Sequence, residues 1–305
     1  MMNFWQFILT VIVAVHLNFL TPSTPAFAVT NTEITAKDFL RMGADKMRRN
    51  HYQEAIDNFT QALHIQTNYS LAYNHRCIAH IQLQDYHQAI ADCTESIHLT
   101  PDNFEAYLNR GVANYRQGHY PQAIADYNQA IAIKPHDFRV YYNRGVALTG
   151  VGDYSQAIAD YNRALTLINQ QDSLLLADIY NDRGVAYFGL QNLEAAKEDF
   201  SRAIESNSKD DRAYFNRGCV CGRMDDNLVA IGDFSQVIKL NPTHAQAYVN
   251  RAVARYNLGY HQGAIADLNQ ASKYFQEQGE KLAYERTLNL LKTVQQEISL
   301  TSEIA

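Results

Sequence analysis

Gly43, Cys77, Gly111, Gly145, Gly184, Gly218 and Ala252 stand 34, 34, 34, 39, 34 and 34 residues apart. This period constrains the fold more than any other feature of the chain. A repeat of that length has room for two short helices, and such a hairpin buries its apolar face only against the next one. The chain therefore reads as a stack of similar units. Stacks of this kind present extended surfaces, which places binding ahead of catalysis among the functions to expect.

The stretch 104–137, FEAYLNRGVANYRQGHYPQAIADYNQAIAIKPHD, serves as the model unit. Ala106, Tyr107, Val112, Ala113 and Tyr115 fall at helical spacings and predict a first helix. Gly118 ends it, because glycine tolerates the left-handed conformation at a helix terminus. Pro121 lies where a second helix starts, a position at which its missing N–H costs nothing. Ala123, Ile124, Tyr127, Ala130 and Ile131 supply the buried stripe of that helix, and Pro135 stops it. Small residues let the two helices lie close, with Gly111 expected to face Ala123 and Ala130. Ala55, Ala89, Ala123, Ala157, Ala196, Ala230 and Ala264 form an unbroken alanine column.

On these Gly, Ala and Pro columns, with the aromatics Tyr107, Tyr120 and Tyr127, the chain resembles the tetratricopeptide repeat family over roughly four fifths of its length. Phrases such as YNRGVA followed by GDYSQAIADYNRAL look most like exported repeat proteins of cyanobacteria. The resemblance implies an all-α fold: a right-handed superhelical solenoid of seven antiparallel helix pairs. The units fall at 36–69, 70–103, 104–137, 138–171, 177–210, 211–244 and 245–278, and a helix over 279–298 caps the end of the stack. Tyr284, Leu288, Leu291 and Ile298 are its expected inward face. The one 39-residue gap inserts five residues near Asp172–Leu176. Two readings stay open there: a longer helix capped by Asp172 or Ser173 with the leucines inward, or a bend that divides the array.

Residues 1–28 are of another kind. They carry no Lys, Arg, Asp or Glu, hold an apolar run from Phe4 to Leu20 and end in Ala26-Phe27-Ala28, the layout of a secretory signal cleaved after Ala28. The expected location is the periplasm, the thylakoid lumen or the medium. The basic residue that usually precedes the apolar run is missing, so an uncleaved membrane anchor is the alternative. Against it, Gln6, Thr10, His16 and Asn18 dilute a run already short of the ~20 apolar residues a spanning helix needs.

Composition narrows function. A formal charge of -6 with 47% hydrophobic residues and 20 Tyr describes a packed globular chain without the basic character of a nucleic-acid binder. No nucleotide loop, nucleophile elbow or carboxylate pair stands out. His51, His64, His75, His80, His87 and His98 lack the four-residue spacing of a helical metal site. The expectation is a non-enzymatic protein without metal or cofactor, with no nucleic-acid partner and no stable membrane insertion after signal cleavage.

In the family resembled, the first helix of each unit lines a concave groove that holds extended peptides or partner helices. On the model unit the matching positions are Glu105, Leu108, Asn109, Val112, Tyr115 and Arg116. Through all units they collect seven basic residues, Lys37, Arg41, Arg48, Arg116, Arg139, Arg212 and Arg223, against three acidic ones, Glu105, Asp178 and Asp182. This excess predicts a preference for an acidic segment. A column of asparagines, Asn109, Asn143, Asn216 and Asn250, is interrupted by His75 and Asp182. Amides both donate and accept, so they match a peptide backbone, as in the asparagine ladder of some long arrays in the family. The alternative is that they bond to neighbouring helices. Leu40 and Ala44 occupy the Lys and Asn positions of the family's carboxylate clamp, which excludes that device. The expected peptide-binding set is Asn109, Asn143, Asn216, Asn250, Arg116, Arg139, Arg212, Arg223 and Tyr115.

Two further columns read as structural. Arg76, Arg110, Arg144, Arg183, Arg217 and Arg251 recur with Asp92, Asp126, Asp160, Asp199, Asp233 and Asp267, and both are missing from the first unit, which has Met42 and Asn58. Joint absence predicts that they pair across each hairpin. Cys77 and Cys93 lie on the two helices of one hairpin, where either a disulfide or simple volume compensation fits; Cys219 and Cys221 are expected to be free thiols. The functional expectation is an exported scaffold that holds a peptide or protein segment in its groove during assembly, maturation or secretion of other proteins. The alternative is a self-associating structural component with no dedicated peptide ligand.

Overall fold

A computed structural model describes residues 34–169 and 171–304, with side chains through residue 297. The expected signal, 1–28, lies outside the described residues. The described unit from Thr35 onward is all helical. Its hairpins are α1 (Ala36–Arg48) with α2 (Tyr52–Ile65), α3 (Ser70–Gln82) with α4 (Tyr86–Leu99), α5 (Phe104–Arg116) with α6 (Tyr120–Ile133) and α7 (Phe138–Gly150) with α8 (Tyr154–Leu167). They continue as α9 (Ser173–Gly189) with α10 (Leu193–Ser206), α11 (Asp211–Arg223) with α12 (Asn227–Leu240) and α13 (Ala245–Asn257) with α14 (His261–Glu277), closed by α15 (Lys281–Ile304). Each helix packs on the one before and the one after, and this order makes the fold a solenoid. Consecutive odd-numbered helices from α1 to α13 also touch one another, whereas no two even-numbered helices are in comparable contact among the described residues. The odd helices therefore line the inner, concave side.

Local signals place the helices. Asp85, Asn103, Asp153, Asp172 and Asn192 each accept a hydrogen bond from a first-turn backbone N–H at the start of a helix. Gly118 takes φ +79° after α5, the left-handed turn its sequence position predicts. Pro121 lies in the first turn of α6. The whole alanine column is fully buried, and so each hairpin closes tightly.

The glycine column has a nearer neighbour than the small residues. A Cβ on Gly111 would first meet the ring of Tyr127, at 2.5 Å from Cε1. Gly43 with Phe59, Gly145 with Tyr161, Gly184 with Phe200 and Gly218 with Phe234 repeat the arrangement. In every case the ring occupies the space where the glycine lacks a side chain. That interlock keeps a large aromatic fully buried between two close helices.

The insertion lengthens α9 to 17 residues where the other odd helices from α1 to α13 have 13, and Asp172 caps it through Leu175 N–H. The leucines do not all turn inward. Leu176 is buried, but Leu174 points into solvent at 64% exposure, because three successive residues of a helix cannot share one face. Packing of α8 on α9 and of α7 on α9 persists across the join. The face of α15 is also shifted from the expected one. Leu291 and Val294 pack on Ala252 and Leu268, Thr287 is buried, and Leu288 faces solvent. Ile298 lies beyond the described side chains. No helix among the described residues is long and apolar enough to cross a membrane.

The candidate groove

The six Arg–Asp pairs hold the odd helices in register. Each arginine reaches the aspartate sixteen residues on in a two-pronged grip; Arg144 Nε and Nη2 donate to Asp160 Oδ2 and Oδ1, both at 2.7 Å. The same geometry recurs at Arg76–Asp92, Arg110–Asp126, Arg183–Asp199, Arg217–Asp233 and Arg251–Asp267. A third nitrogen extends to the previous hairpin, where Thr60, Thr94, Asn128, Asn162, Ser201 and Ser235 accept. Each guanidinium also lies over a tyrosine three residues back, as Arg110 does over Tyr107 at 5.6 Å. One residue thus ties two hairpins together, and hydrogen bonds to Asp160 push the Arg144 guanidinium further from deprotonation. The polar column on the even helices was legible as a 34-residue repeat but had no assigned role in the sequence.

The expected asparagine ladder is mostly engaged within the chain. Asn109 Nδ2 donates to Asn74 Oδ1 at 3.1 Å and Asn216 Nδ2 to Asn181 Oδ1 at 2.9 Å, both acceptors being buried on the preceding odd helix. Asn250 donates to Cys219 Sγ at 3.4 Å and accepts from Gln246. Asn143 differs: among the described residues its half-buried amide has no hydrogen-bond partner. The residue that would face it by the register of Asn109 and Asn74 is apolar Leu108.

The groove charges also pair with one another. Arg139 bonds Glu105 at 2.8 Å and Asp137 at 2.7 Å, and Arg212 bonds Asp178 at 2.6 Å and Asp210 at 2.9 Å. Hydrogen bonds donated to these carboxylates raise both guanidinium pKa values, and the bond from Arg139 lowers that of Asp137. The basic excess expected from counting therefore shrinks, because acidic and basic residues alternate down one column, one repeat apart. Arg116 is exposed and makes no ion pair among the described residues. Arg223 lies 4.9 Å over the Phe188 ring.

Two hollows open along this face. One, of about 270 Å³, is lined by Tyr115, Val146, Thr149, Gly150, Tyr161, Asp182 and Val185. Tyr142 Oη donates to Asp182 Oδ2 at 2.8 Å, and burial pushes the Asp182 carboxyl above its ordinary range. Burial and the adjacent Asp182 likewise raise the Tyr142 phenol. The other, of about 230 Å³, includes Cys219, Arg223, Asn227, Asn250 and Asn257. Cys219 and Cys221 are free thiols, and burial pushes Cys219 up to about 11, which leaves it a weak nucleophile at neutral pH. Of the expected set, Tyr115 reaches the first hollow and Arg223 and Asn250 the second. Val146, Thr149, Gly150 and Val185 were not among the candidates. Their signal was Thr149-Gly150, a small pair where α5 has Tyr115-Arg116.

Cys77 and Cys93 form a disulfide between α3 and α4. They occupy the slot that the other hairpins fill with a small residue and a large one.

Models described as TPR repeat match residues 78–118 and 115–150, and models described as tetratricopeptide repeat match 137–209 and 222–277. Among solved structures, the chain is similar to one in the APC/C hetero-tetramer Cut9-Hcn1, with 19% identity and a TM-score of 0.63 over 73% of this chain and 43% of that one. It is similar to a tetratricopeptide repeat protein from Parabacteroides merdae, with 16% identity and a TM-score of 0.62 over 83% and 98%. YrrB, described as a TPR protein with an unusual peptide-binding site, gives 20% identity and a TM-score of 0.53 over 65% and 97%. Identities this low establish a shared fold alone. The chain spans less than half the length of the first of these three. No curated protein matches it.

Proposed function

The chain belongs to the tetratricopeptide repeat family, and we propose that it is an exported, non-enzymatic scaffold whose odd-helix groove holds an extended segment of a partner protein. The observation that carries this reading is Asn143. Its half-buried amide has no partner within the described residues, and a peptide backbone crossing α7 can supply both a donor and an acceptor to it. The 270 Å³ hollow one turn farther along α7 gives such a segment a place for a side chain. An acidic partner has less support than counting suggested, since Arg139 and Arg212 already meet carboxylates. Lys37, Arg116 and Arg223 are what remains of that preference.

Export draws support from the disulfide, because such bonds persist in oxidising compartments. Processing of the first 28 residues has a direct readout: Trp5 is the sole tryptophan, so tryptophan fluorescence in the purified native protein would mean that the segment is retained.

Pull-down with the full chain and with Asn143→Ala tests the groove. Asn109 and Asn216 are poor choices because each braces a neighbouring helix. A partner recovered with the native chain and lost with the variant supports the scaffold. Equal recovery by both counts against the groove, and concentration-dependent association without any partner favours a self-assembling structural role.

A further inference from the structure

The hollow between α7 and α9 holds a charge that its surroundings leave unpaired. Glu105 and Asp178, the other groove carboxylates, each meet an arginine one repeat away. Among the described residues no basic side chain lies within ion-pair distance of Asp182. Arg212 acts on it only from farther off, its guanidinium being bonded to Asp178 and Asp210. Asp182 accepts from Tyr142 at 2.8 Å and from Asn181 at 3.3 Å, and a carboxylate has room for about four such bonds. At this column α5, α7, α11 and α13 carry asparagine, so the charge is particular to α9.

The space beside it is equally particular. Thr149 and Gly150 replace bulkier residues and leave about 270 Å³ open. Val146, Val185 and the Tyr115 ring form apolar walls, with the carboxylate at one side. Such a site matches a side chain with a methylene stem and a cationic head. We infer that this hollow takes a lysine or arginine side chain of the bound segment, its stem against Val146 and Val185 and its head on Asp182. The charge complementarity selects the occupant: a cation relieves the unpaired carboxylate, whereas an acidic or purely apolar side chain leaves it worse off. The inference rests on the groove reading for the source of the side chain, and it names the residue class that the groove selects.

The test uses the full chain and Asp182→Asn, which restores the residue common to the column and so keeps the fold. Backbone amide shifts are followed by NMR during titration with n-butylammonium and n-butylguanidinium, with butan-1-ol as the neutral control. The expected result is saturable shifts at Val146, Thr149, Asp182 and Val185 for both cations, weaker by about tenfold or more in the variant. No saturation, equal response to the alcohol or equal response in the variant would overturn the assignment. A display selection of random peptides separates this from the groove reading. Recovered peptides rich in Lys or Arg on the native chain, and not on Asp182→Asn, support both. Peptides that depend on Asn143 but carry no basic residue keep the groove and overturn the pocket. Saturable cation binding with no peptide recovered keeps the pocket and sinks the groove. Self-association abolished by Asp182→Asn would place a second copy's basic residue in the hollow and overturn the partner assignment.

Discussion

Cys77 is bonded to Cys93 in the slot that Gly111 and Tyr127 fill one hairpin later. Both pairs are sixteen residues apart and join the two helices of a hairpin at the same level. One uses a covalent bridge and the other a ring laid against bare backbone, so the same gap is closed by two different chemistries.

Replacing both cysteines with serine opens a loop of about fifteen residues in the unfolded chain and should lower stability by about 3 kcal/mol. Cys77→Gly with Cys93→Tyr reinstates the neighbouring solution and should recover most of that loss. Urea denaturation of the three proteins checks it; a double serine variant as stable as the native chain would leave the bridge without a stabilising role.

Two glycines should respond oppositely to alanine. Gly111→Ala drives a Cβ into the buried Tyr127 ring and should cost ~1–3 kcal/mol. Gly232 is exposed inside α12 with nothing within 4 Å of the added carbon, so Gly232→Ala should gain ~1 kcal/mol from helix propensity alone. Thermal midpoints moving in the same direction would contradict the account.

The Arg144–Asp160 pair should show coupling. Asp160 is almost wholly buried, so removing Arg144 leaves a carboxylate without its counterion, at a cost of about 3 kcal/mol. In a double-mutant cycle with alanine the two changes should fall short of additivity by about 1–3 kcal/mol. Simple additivity would mean that the pair does not set the helix register.

Stability should fall on mild acidification through His75 and His80, whose pKa values burial lowers from the usual 6.5. His75 stacks on Phe59 at 5.6 Å, and His80 stays depressed although Asp92 and Asp85 pull the other way. Because the unfolded chain binds the proton first, stability is lost as pH drops below about 6.5. His75→Asn, the residue of that column in α5 and α7, should lose less between pH 7.5 and 5.5 (urea midpoints at both), whereas a variant as acid-sensitive as the native chain would clear His75.

Asp182 works with the opposite sign. Its folded pKa lies above the ordinary 3.8, so stability is lost as pH rises through that value and the charge remains a cost at neutrality. Asp182→Asn should therefore raise the thermal midpoint at pH 7 and change it little at pH 3. A lower midpoint at pH 7 would show that the carboxylate serves the fold rather than a ligand.

Much of this is legible in the amino-acid sequence, because a stack repeats each contact at a fixed interval. The Arg–Asp braces appear as two columns that are absent together from the first hairpin at Met42 and Asn58, and contacts within a hairpin depend only on local helix geometry. The glycine column was visible too, but the spacing of small residues pointed to Ala123 and Ala130 and left out the nearest neighbour, the Tyr127 ring, whose place depends on how its side chain packs.

The amino-acid sequence by itself determined the helical hairpin, its period, its turns and its internal brace, all of which follow from spacing and local conformational preference. Tertiary structure alone decided which groove residues remain available. Glu105 meets Arg139 and Asp178 meets Arg212 across stacked helices, whereas Asn143 and Asp182 do not find such partners. Whether a polar group is spent or free depends on what the next hairpin brings within about 3 Å of it, and this distance is set by packing between units rather than by the pattern within one.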